Sequence, residues 1–205
     1  RGMVRRLKAD QKELNLKPKI RRIHQVTLRR PQEYAFAEKE FRKWILKRKS
    51  ARKAQKTLRA EALVKVGYLL RLSAKLKMRK IGHWIDDFLK DPKLKLIVFS
   101  YITPLLVALE RRYGGMTVRI DGSVTGRHRA AAVHRFQTVP SCRIALCNGK
   151  AAGVALTLTA AWHVLGTDLP WNPAILLQAE DRAHRFGQKN QVIITYLIGK
   201  GTMDE

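Results

Sequence analysis

Five short apolar runs with helical patterns between them constrain the fold of this chain more than any other feature of its sequence. The runs lie at residues 95–100, 117–120, 143–147, 163–167 and 192–198. The first is continuously apolar and ends in Ser100, which is typical of a strand buried in a parallel sheet. Helical patterns separate the runs at residues 104–112, 125–136 and 174–185. This alternation predicts an α/β fold with a doubly wound parallel sheet and ligands at the carboxyl ends of the strands.

The amino-terminal part of the chain has a different, mainly helical pattern. A short strand is predicted at residues 20–28, and Pro31 begins a helix that runs towards Lys56. Two more helices are predicted, at residues 62–78 and around residues 81–89. The periodicity changes at Asp91-Pro92. We therefore expect a basic, mainly helical protrusion or linker over residues 1–90 and an α/β lobe over residues 91–205.

A net charge of +26 indicates a polyanionic partner. The chain has 42 Lys and Arg residues against 16 Asp and Glu residues. The cations between residues 47 and 59 form either a solvated helix face or a contact to phosphate backbone. The aromatic residues of the predicted amino-terminal helices either pack in a core or stack on bases. No apolar run approaches the ~18 residues needed to span a bilayer. No His, Cys and Glu cluster has metal-ligand spacing, so we expect no metal site.

A pair of arginines three positions apart lies within residues 153–188. Gln178, Asp181, Arg182 and Arg185 follow the spacing i, i+3, i+4 and i+7, which predicts one helix face. Guanidinium groups are planar, permanently charged and able to bond two phosphate oxygens at once. The pair is therefore either a phosphate-binding device or an ordinary solvated face.

The surrounding residues carry a resemblance to a known family. Trp171-Asn172-Pro173 and the string QAEDRAHRFGQ at residues 178–188 resemble motifs V and VI of the Swi/Snf family of superfamily-two helicase-like ATPases. The Thr-Leu-Thr variant at residues 157–159 is most similar to the fork-remodelling, strand-annealing branch. The resemblance implies a RecA-like second motor lobe. It also implies that Gly153, Gln178, Asp181, Arg182 and Arg185 bind ATP, with Arg182 and Arg185 as catalytic arginine fingers.

The same resemblance implies a contact to one strand of DNA. Asp121-Gly122-Ser123 follows a predicted strand and is either a plain turn or a phosphate contact through Gly122 and Ser123. The implied DNA-binding residues are Gly122, Ser123, Arg129, Lys150, Thr157 and Trp171.

The chain lacks the other half of a nucleotide site. It has no Gly-x-x-x-x-Gly-Lys-(Ser/Thr) phosphate loop and no Asp-Glu box. We therefore expect these 205 residues not to hydrolyse ATP alone. In the family, a first lobe of the same protein supplies the phosphate loop, the Mg²⁺ ligands and the water-activating acid. The absence of an initiator Met fits an excerpt of a longer protein.

Two functions from different classes remain. The first is the carboxyl-terminal motor lobe of a DNA-dependent ATPase that couples ATP hydrolysis to movement on duplex DNA, in remodelling or strand annealing. The second is a non-catalytic basic module that binds nucleic acid on a degenerate RecA-like lobe. A phosphate loop encoded upstream of Arg1 favours the motor. In either case we expect an intracellular, DNA-associated protein of a nucleus, a nucleoid or a phage-infected cytoplasm.

Overall fold

The strands and helices alternate in the order that the apolar runs predict. The computed structural model describes residues 16–49, 55–149, 156–169 and 173–205. The strands are β1 (Ile20–Val26), β2 (Leu96–Ser100), β3 (Thr117–Ile120), β4 (Ile144–Asn148), β5 (His163–Gly166) and β6 (Ile193–Gly199). The helices are α1 (Pro31–Lys49), α2 (Gln55–Phe88), α3 (Thr103–Tyr113), α4 (Gly126–Thr138) and α5 (Pro173–Glu180). Each of the five predicted strands of the α/β lobe forms within two residues of its predicted bounds.

The strands make one six-stranded sheet in the order β1-β6-β5-β2-β4-β3. Every pairing in the described sheet is parallel. The predicted parallel α/β fold is therefore confirmed. Because all strands point the same way, their carboxyl ends share one edge of the sheet, and the loops at that edge include residues 121–125 and 167–169.

Alternate residues of the central strand serve two separate cores. Leu96 and Val98 of β2 pack with Ile81, Ile85 and Leu106 on the face that α2 and α3 cover. Their neighbours Ile97 and Phe99 belong to the opposite core, which contains Phe136 of α4 and Ala179 and Ala183 of the α5 region. A period of two along a strand buried on both faces produces this division. Helices therefore cover both faces of the sheet.

Residues before position 91 contribute to the sheet as well as to a helical protrusion. β1 runs parallel to β6, with Ile20 opposite Ile193. The second half of α2 lies on the main core through Ile81 and Ile85. Nearer its start, α2 forms a small separate core with α1 through Tyr34, Leu69 and Leu72.

Two helix predictions are wrong. The helices predicted at residues 62–78 and 81–89 are one 34-residue helix, α2. No proline or glycine lies between Met78 and Ile81, so nothing in the backbone interrupts the helix there. The helix predicted to reach Arg185 ends at Glu180. Residues 181–187 form turns instead, and Gly187 at the end of them has a φ of 92°.

None of the helices in the described ranges combines the length and the apolarity needed to cross a membrane.

Candidate functional site

The turn after α5 holds both arginines of the predicted pair. We call residues 181–185 the arginine turn. The Arg182 carbonyl accepts a 3.1 Å hydrogen bond from the Leu158 backbone N–H, and Arg185 Nη1 donates to the Leu156 carbonyl at 3.1 Å. Within the described ranges, neither guanidinium forms an ion pair with a carboxylate. Among the described residues, Asp181 acts on Arg182 only through its nearby charge and not through an ion pair.

The Arg182 side chain is half-buried and incompletely satisfied. Its Nε is buried and has no hydrogen-bond partner among the described residues. Burial lowers the pKa of the Arg182 guanidinium, and the adjacent Arg185 charge lowers it further. Both effects disfavour the charged form, and the nearby Asp181 charge opposes them in part. An anion placed against the two guanidinium groups would stabilise their charged forms further. The electrostatics of the arginine turn therefore favour the binding of a negatively charged ligand.

A cleft links the arginine turn to α4. It has a volume of about 530 Å³, and Arg129, Val133, Gln137, Leu156 and Thr157 are among the residues that line it. Arg185 adjoins this cleft through its bond to the Leu156 carbonyl. Gln188 braces the same wall, because its Nε2 donates to the carbonyls of Thr159 and Ala161 at 3.1 and 2.9 Å. The predicted residues Arg129, Thr157 and Arg185 therefore lie around one feature of the surface.

The loop at residues 121–125 is organised by Asp121. The Ser123 amide and hydroxyl both donate to Asp121 Oδ1, at 2.9 and 2.5 Å, and Arg119 donates to Oδ2. Burial raises the pKa of the Asp121 carboxyl, but the bonds from Ser123 and the Arg119 charge outweigh it, so the pKa is lowered overall. Ser123 is thus directed towards Asp121. Gly122 is exposed, and no described atom lies within 4 Å of the position that a Cβ would occupy there.

Arg129 braces this loop from α4. Its Nη2 donates to the Val124 carbonyl at 2.8 Å, while its Nε is buried and without a hydrogen-bond partner in the described part of the chain. Arg129 therefore connects the 121–125 loop to the cleft, where Thr157 forms the opposite wall. Thr125 is the residue before α4, and its hydroxyl bonds to His128 Nδ1 at 2.8 Å rather than capping the helix amides.

Gln178 and Asp181 are not among the described residues that line this cleft. Gly153, Lys150 and Trp171 lie outside the described residues. Gln178 is exposed on α5. The Asp181 side chain accepts a 3.2 Å hydrogen bond from Lys19 Nζ, so it is directed towards the segment that leads into β1.

Sequence reasoning missed the group that fixes the end of α5. The Glu180 carboxylate is buried and accepts hydrogen bonds from Lys19, Arg21 and Tyr196. An acid that is buried just before two arginines is unusual unless it is paired. Its partners Lys19 and Arg21, just before and within β1, are about 160 residues away along the chain, and so the sequence pattern alone did not connect them.

The sequence is similar to those of known proteins. The family model described as the helicase conserved C-terminal domain matches residues 77–187, which is more than half of the chain. The Homo sapiens protein "DNA annealing helicase and endonuclease ZRANB3" is 39% identical over 149 residues, covering 68% of this chain and 13% of that protein. The Drosophila melanogaster "SWI/SNF-related matrix-associated actin-dependent regulator of chromatin subfamily A-like protein 1" is 38% identical over 136 residues, covering 65% of this chain and 18% of that protein. The chain thus spans less than a fifth of either relative.

Solved structures show the same fold. The Sulfolobus solfataricus SWI2/SNF2 ATPase core in complex with dsDNA superposes with a TM-score of 0.71 at 23% identity, covering 91% of this chain and 42% of that chain. The C-terminal domain of the same ATPase gives a TM-score of 0.70 at 20% identity, covering 91% of this chain and 82% of that chain. These likenesses confirm the RecA-like architecture. The chain belongs to the helicase conserved C-terminal domain family and is a Swi/Snf-type lobe of superfamily two.

Proposed function

We propose that this chain is the second motor lobe of a DNA-dependent ATPase that couples ATP hydrolysis to movement along duplex DNA. The observation that carries the proposal is the arginine turn: Arg182 and Arg185 lie close enough to repel each other, no ion pair among the described residues joins either one to a carboxylate, and only the nearby Asp181 charge opposes the repulsion at Arg182. Two such cations repel each other and cost solvation energy unless an anion joins them. The triphosphate of a nucleotide is the anion that fits a lobe of this family.

ATP is the substrate in this proposal. Arg182 and Arg185 would bond the γ-phosphate oxygens, and Gly153, Gln178 and Asp181 would line the same side of the nucleotide. An arginine finger neutralises charge that develops in the transition state of phosphoryl transfer, and it contributes about 10³–10⁵ in rate. The Mg²⁺ ligands and the phosphate loop would come from a first lobe, because neither motif occurs in this sequence.

The cleft between α4 and residues 156–157 supports a contact to one DNA strand. Gly122 leaves room for a close approach of the phosphate backbone, and Arg129 holds the loop that carries it. Thr157 lines the opposite wall. Ser123, Lys150 and Trp171 complete the proposed DNA-binding set. One solved structure of similar fold is described as an ATPase core in complex with dsDNA, which favours duplex DNA as the partner.

The contact from Arg185 to Leu156 explains how the two sites would communicate. Leu156 precedes Thr157 and lines the cleft, while Arg185 would contact the nucleotide. Closure of the two lobes on ATP would therefore shift residues 156–157 against the DNA strand. A cycle of closing and opening converts hydrolysis into directional movement.

A substitution in the longer, two-lobed protein tests this proposal. Arg185→Ala should lower DNA-stimulated ATP turnover by about 10³-fold or more, because the charge that stabilises the transition state is removed. Binding of duplex DNA should change by less than about threefold, since the other cations remain. Arg111→Ala is the matched control: Arg111 is an exposed arginine on α3, which covers the other face of the sheet. Normal turnover by Arg185→Ala would refute the finger role.

A second candidate function is a non-catalytic basic module that binds nucleic acid. The net charge of +26 favours it, because such a charge promotes binding to any polyanion. The same experiment separates the two functions. A motor shows ATP turnover that rises when DNA is added, whereas a binding module in the longer protein shows DNA binding with no stimulated turnover.

A further inference from the structure

The segment that leads into β1 meets the end of α5 at one buried carboxylate. Glu180 is the last residue of α5, and 2% of its side chain is exposed. Arg21 donates to both of its oxygens, from Nε at 2.7 Å and from Nη2 at 2.6 Å, and Lys19 Nζ adds a bond at 2.7 Å. The Tyr196 hydroxyl of β6 donates to Oε1 at 2.7 Å. Two cations and a hydroxyl thus fix this carboxylate in one orientation.

Further contacts join residues 17–19 to residues that follow Glu180 in the chain. Lys19 Nζ also donates to Asp181 Oδ1 at 3.2 Å. His184 Nε2 lies 2.9 Å from the Lys17 carbonyl, and Gln191 Nε2 donates to the Pro18 carbonyl at 3.1 Å. The segment before β1 therefore contacts the arginine turn at Asp181 and at His184.

Backbone hydrogen bonds connect Glu180 to the turn that contains the two arginines. The Glu180 carbonyl accepts hydrogen bonds from the backbone amides of Ala183 and His184, at 3.2 and 3.1 Å. Glu180 therefore anchors the first bonds of the turn in which Arg182 and Arg185 lie. A displacement of its side chain would rotate the start of that turn.

Lys19 and Arg21 are not themselves placed to bind a nucleotide. The Lys19 side chain is 15% exposed, and both cations direct their donors at Glu180. Their charges are neutralised locally, whereas those of Arg182 and Arg185 meet no carboxylate among the described residues. The two pairs of cations therefore have different tasks.

We infer that Glu180 is a positioning residue for Arg182 and Arg185, and that Lys19 and Arg21 hold it in place. The segment that precedes β1 then sets the orientation of the arginine turn, so a movement of residues 17–19 would reach the two guanidinium groups through Glu180. For ATP turnover this consequence rests on the proposed function, whereas the restraint on the turn is independent of it.

Hydrogen exchange followed by mass spectrometry tests the restraint directly. Glu180→Gln removes the negative charge of the carboxylate at nearly constant side-chain size. Arg21→Gln removes one of the two cations that pair with Glu180, and the glutamine is tolerated because the Arg21 side chain is half-exposed. In both variants, amides of residues 183–188 should exchange at least about tenfold faster, while those of β2 and β4 keep their rates. Glu38→Gln is the matched control, since it breaks an exposed ion pair with Arg42 on α1. Unchanged exchange at residues 183–188, or equal acceleration throughout the chain, would overturn the inference.

Turnover in the longer protein tests the functional consequence. Glu180→Gln and Arg21→Gln should each lower kcat at least about tenfold while KM for ATP stays within about twofold, because the fingers act on the transition state. The double variant should be no slower than Glu180→Gln alone. If Arg185→Ala abolishes turnover but Glu180→Gln does not, the positioning role is wrong and the motor function stands. If Arg185→Ala keeps full turnover, the finger role of Arg185 is wrong, and hydrogen exchange alone decides the restraint.

Discussion

Single buried charges in this chain are held by several short contacts each. Lys77 has no exposed surface, and its Nζ donates to the Thr167 and Leu197 carbonyls and to Asp204 Oδ2, at 2.6, 3.1 and 2.5 Å. The Ser73 hydroxyl donates a further hydrogen bond to the same Asp204 oxygen, at 2.9 Å. Glu180 is satisfied in the same manner. Buried ions of this kind are tolerated only when each has its own partners.

The Glu180 pair predicts how stability responds to acid. Burial raises the pKa of the Glu180 carboxyl, but bonds from Arg21, Lys19 and Tyr196 outweigh it and lower the pKa to about 2, from an ordinary 4.5. The folded state therefore releases this proton more readily than the unfolded chain. The resulting stability of about 3 kcal/mol is fully present above pH 4.5 and is lost as the pH falls towards 2.

Urea unfolding of the chain and of Glu180→Gln across this pH range measures the effect. The difference in unfolding free energy should shrink as the pH drops from 4.5 towards 2. Asp168 acts in the opposite direction, because burial raises the pKa of its carboxyl, but it is common to both proteins and cancels in the difference. A difference that stays constant with pH would contradict the assigned ion pair.

Among the elements, α2 joins the protrusion to the sheet without a break. It begins at Gln55 beside α1 and ends at Phe88, after Ile81 and Ile85 have entered the main core. Gly82 lies within it, and its carbonyl accepts a 3.0 Å bond from the Tyr113 hydroxyl of α3. The helix therefore transmits the orientation of the protrusion rigidly to the lobe.

Glycine-to-alanine substitutions test whether α2 is continuous. At Gly67 an added methyl would meet only the Arg71 guanidinium, at 3.5 Å, so Gly67→Ala should raise the free energy of unfolding by about 0.5–1 kcal/mol. Gly82→Ala is the matched comparison. Its methyl would lie 3.2 Å from Arg112, which pairs with Asp86, so crowding should offset the gain. Destabilisation by Gly67→Ala in urea unfolding would show that this position is not helical.

The elements also show what the sequence can predict. The bounds of buried parallel strands are predicted accurately because a short, continuous apolar run seldom forms another kind of element. All five residues of β2 are buried, for example. The end of α5 was predicted five residues too late, since a helical spacing of polar residues cannot reveal that Arg182 and Arg185 bond to residues 156–158 instead. Glu180 was missed for the same reason: its partners meet it only when β1 adds to the sheet beside β6.

At the scale of the whole molecule, the sheet brings three distant segments to one side of the lobe. The 121–125 loop, residues 156–159 and the arginine turn are joined through Arg129, the cleft and Arg185. The chain as a whole has a net charge of +26. Such a charge favours binding to nucleic acid but does not discriminate between base sequences. In the proposed function, the few groups around this cleft make the specific contacts, and the overall positive charge provides general affinity for nucleic acid.

The affinity of the longer, two-lobed protein for a transition-state analogue tests the central claim most directly. An arginine finger bonds the transferring phosphoryl group and hardly contacts the product, so ADP with aluminium fluoride and ADP alone should respond differently. In calorimetric titrations, Arg182→Ala and Arg185→Ala should each weaken binding of ADP–aluminium fluoride at least about 100-fold, while the Kd for ADP stays within about threefold. Equal affinity of the parent protein and both variants for the analogue would contradict the claim that this lobe completes a nucleotide site.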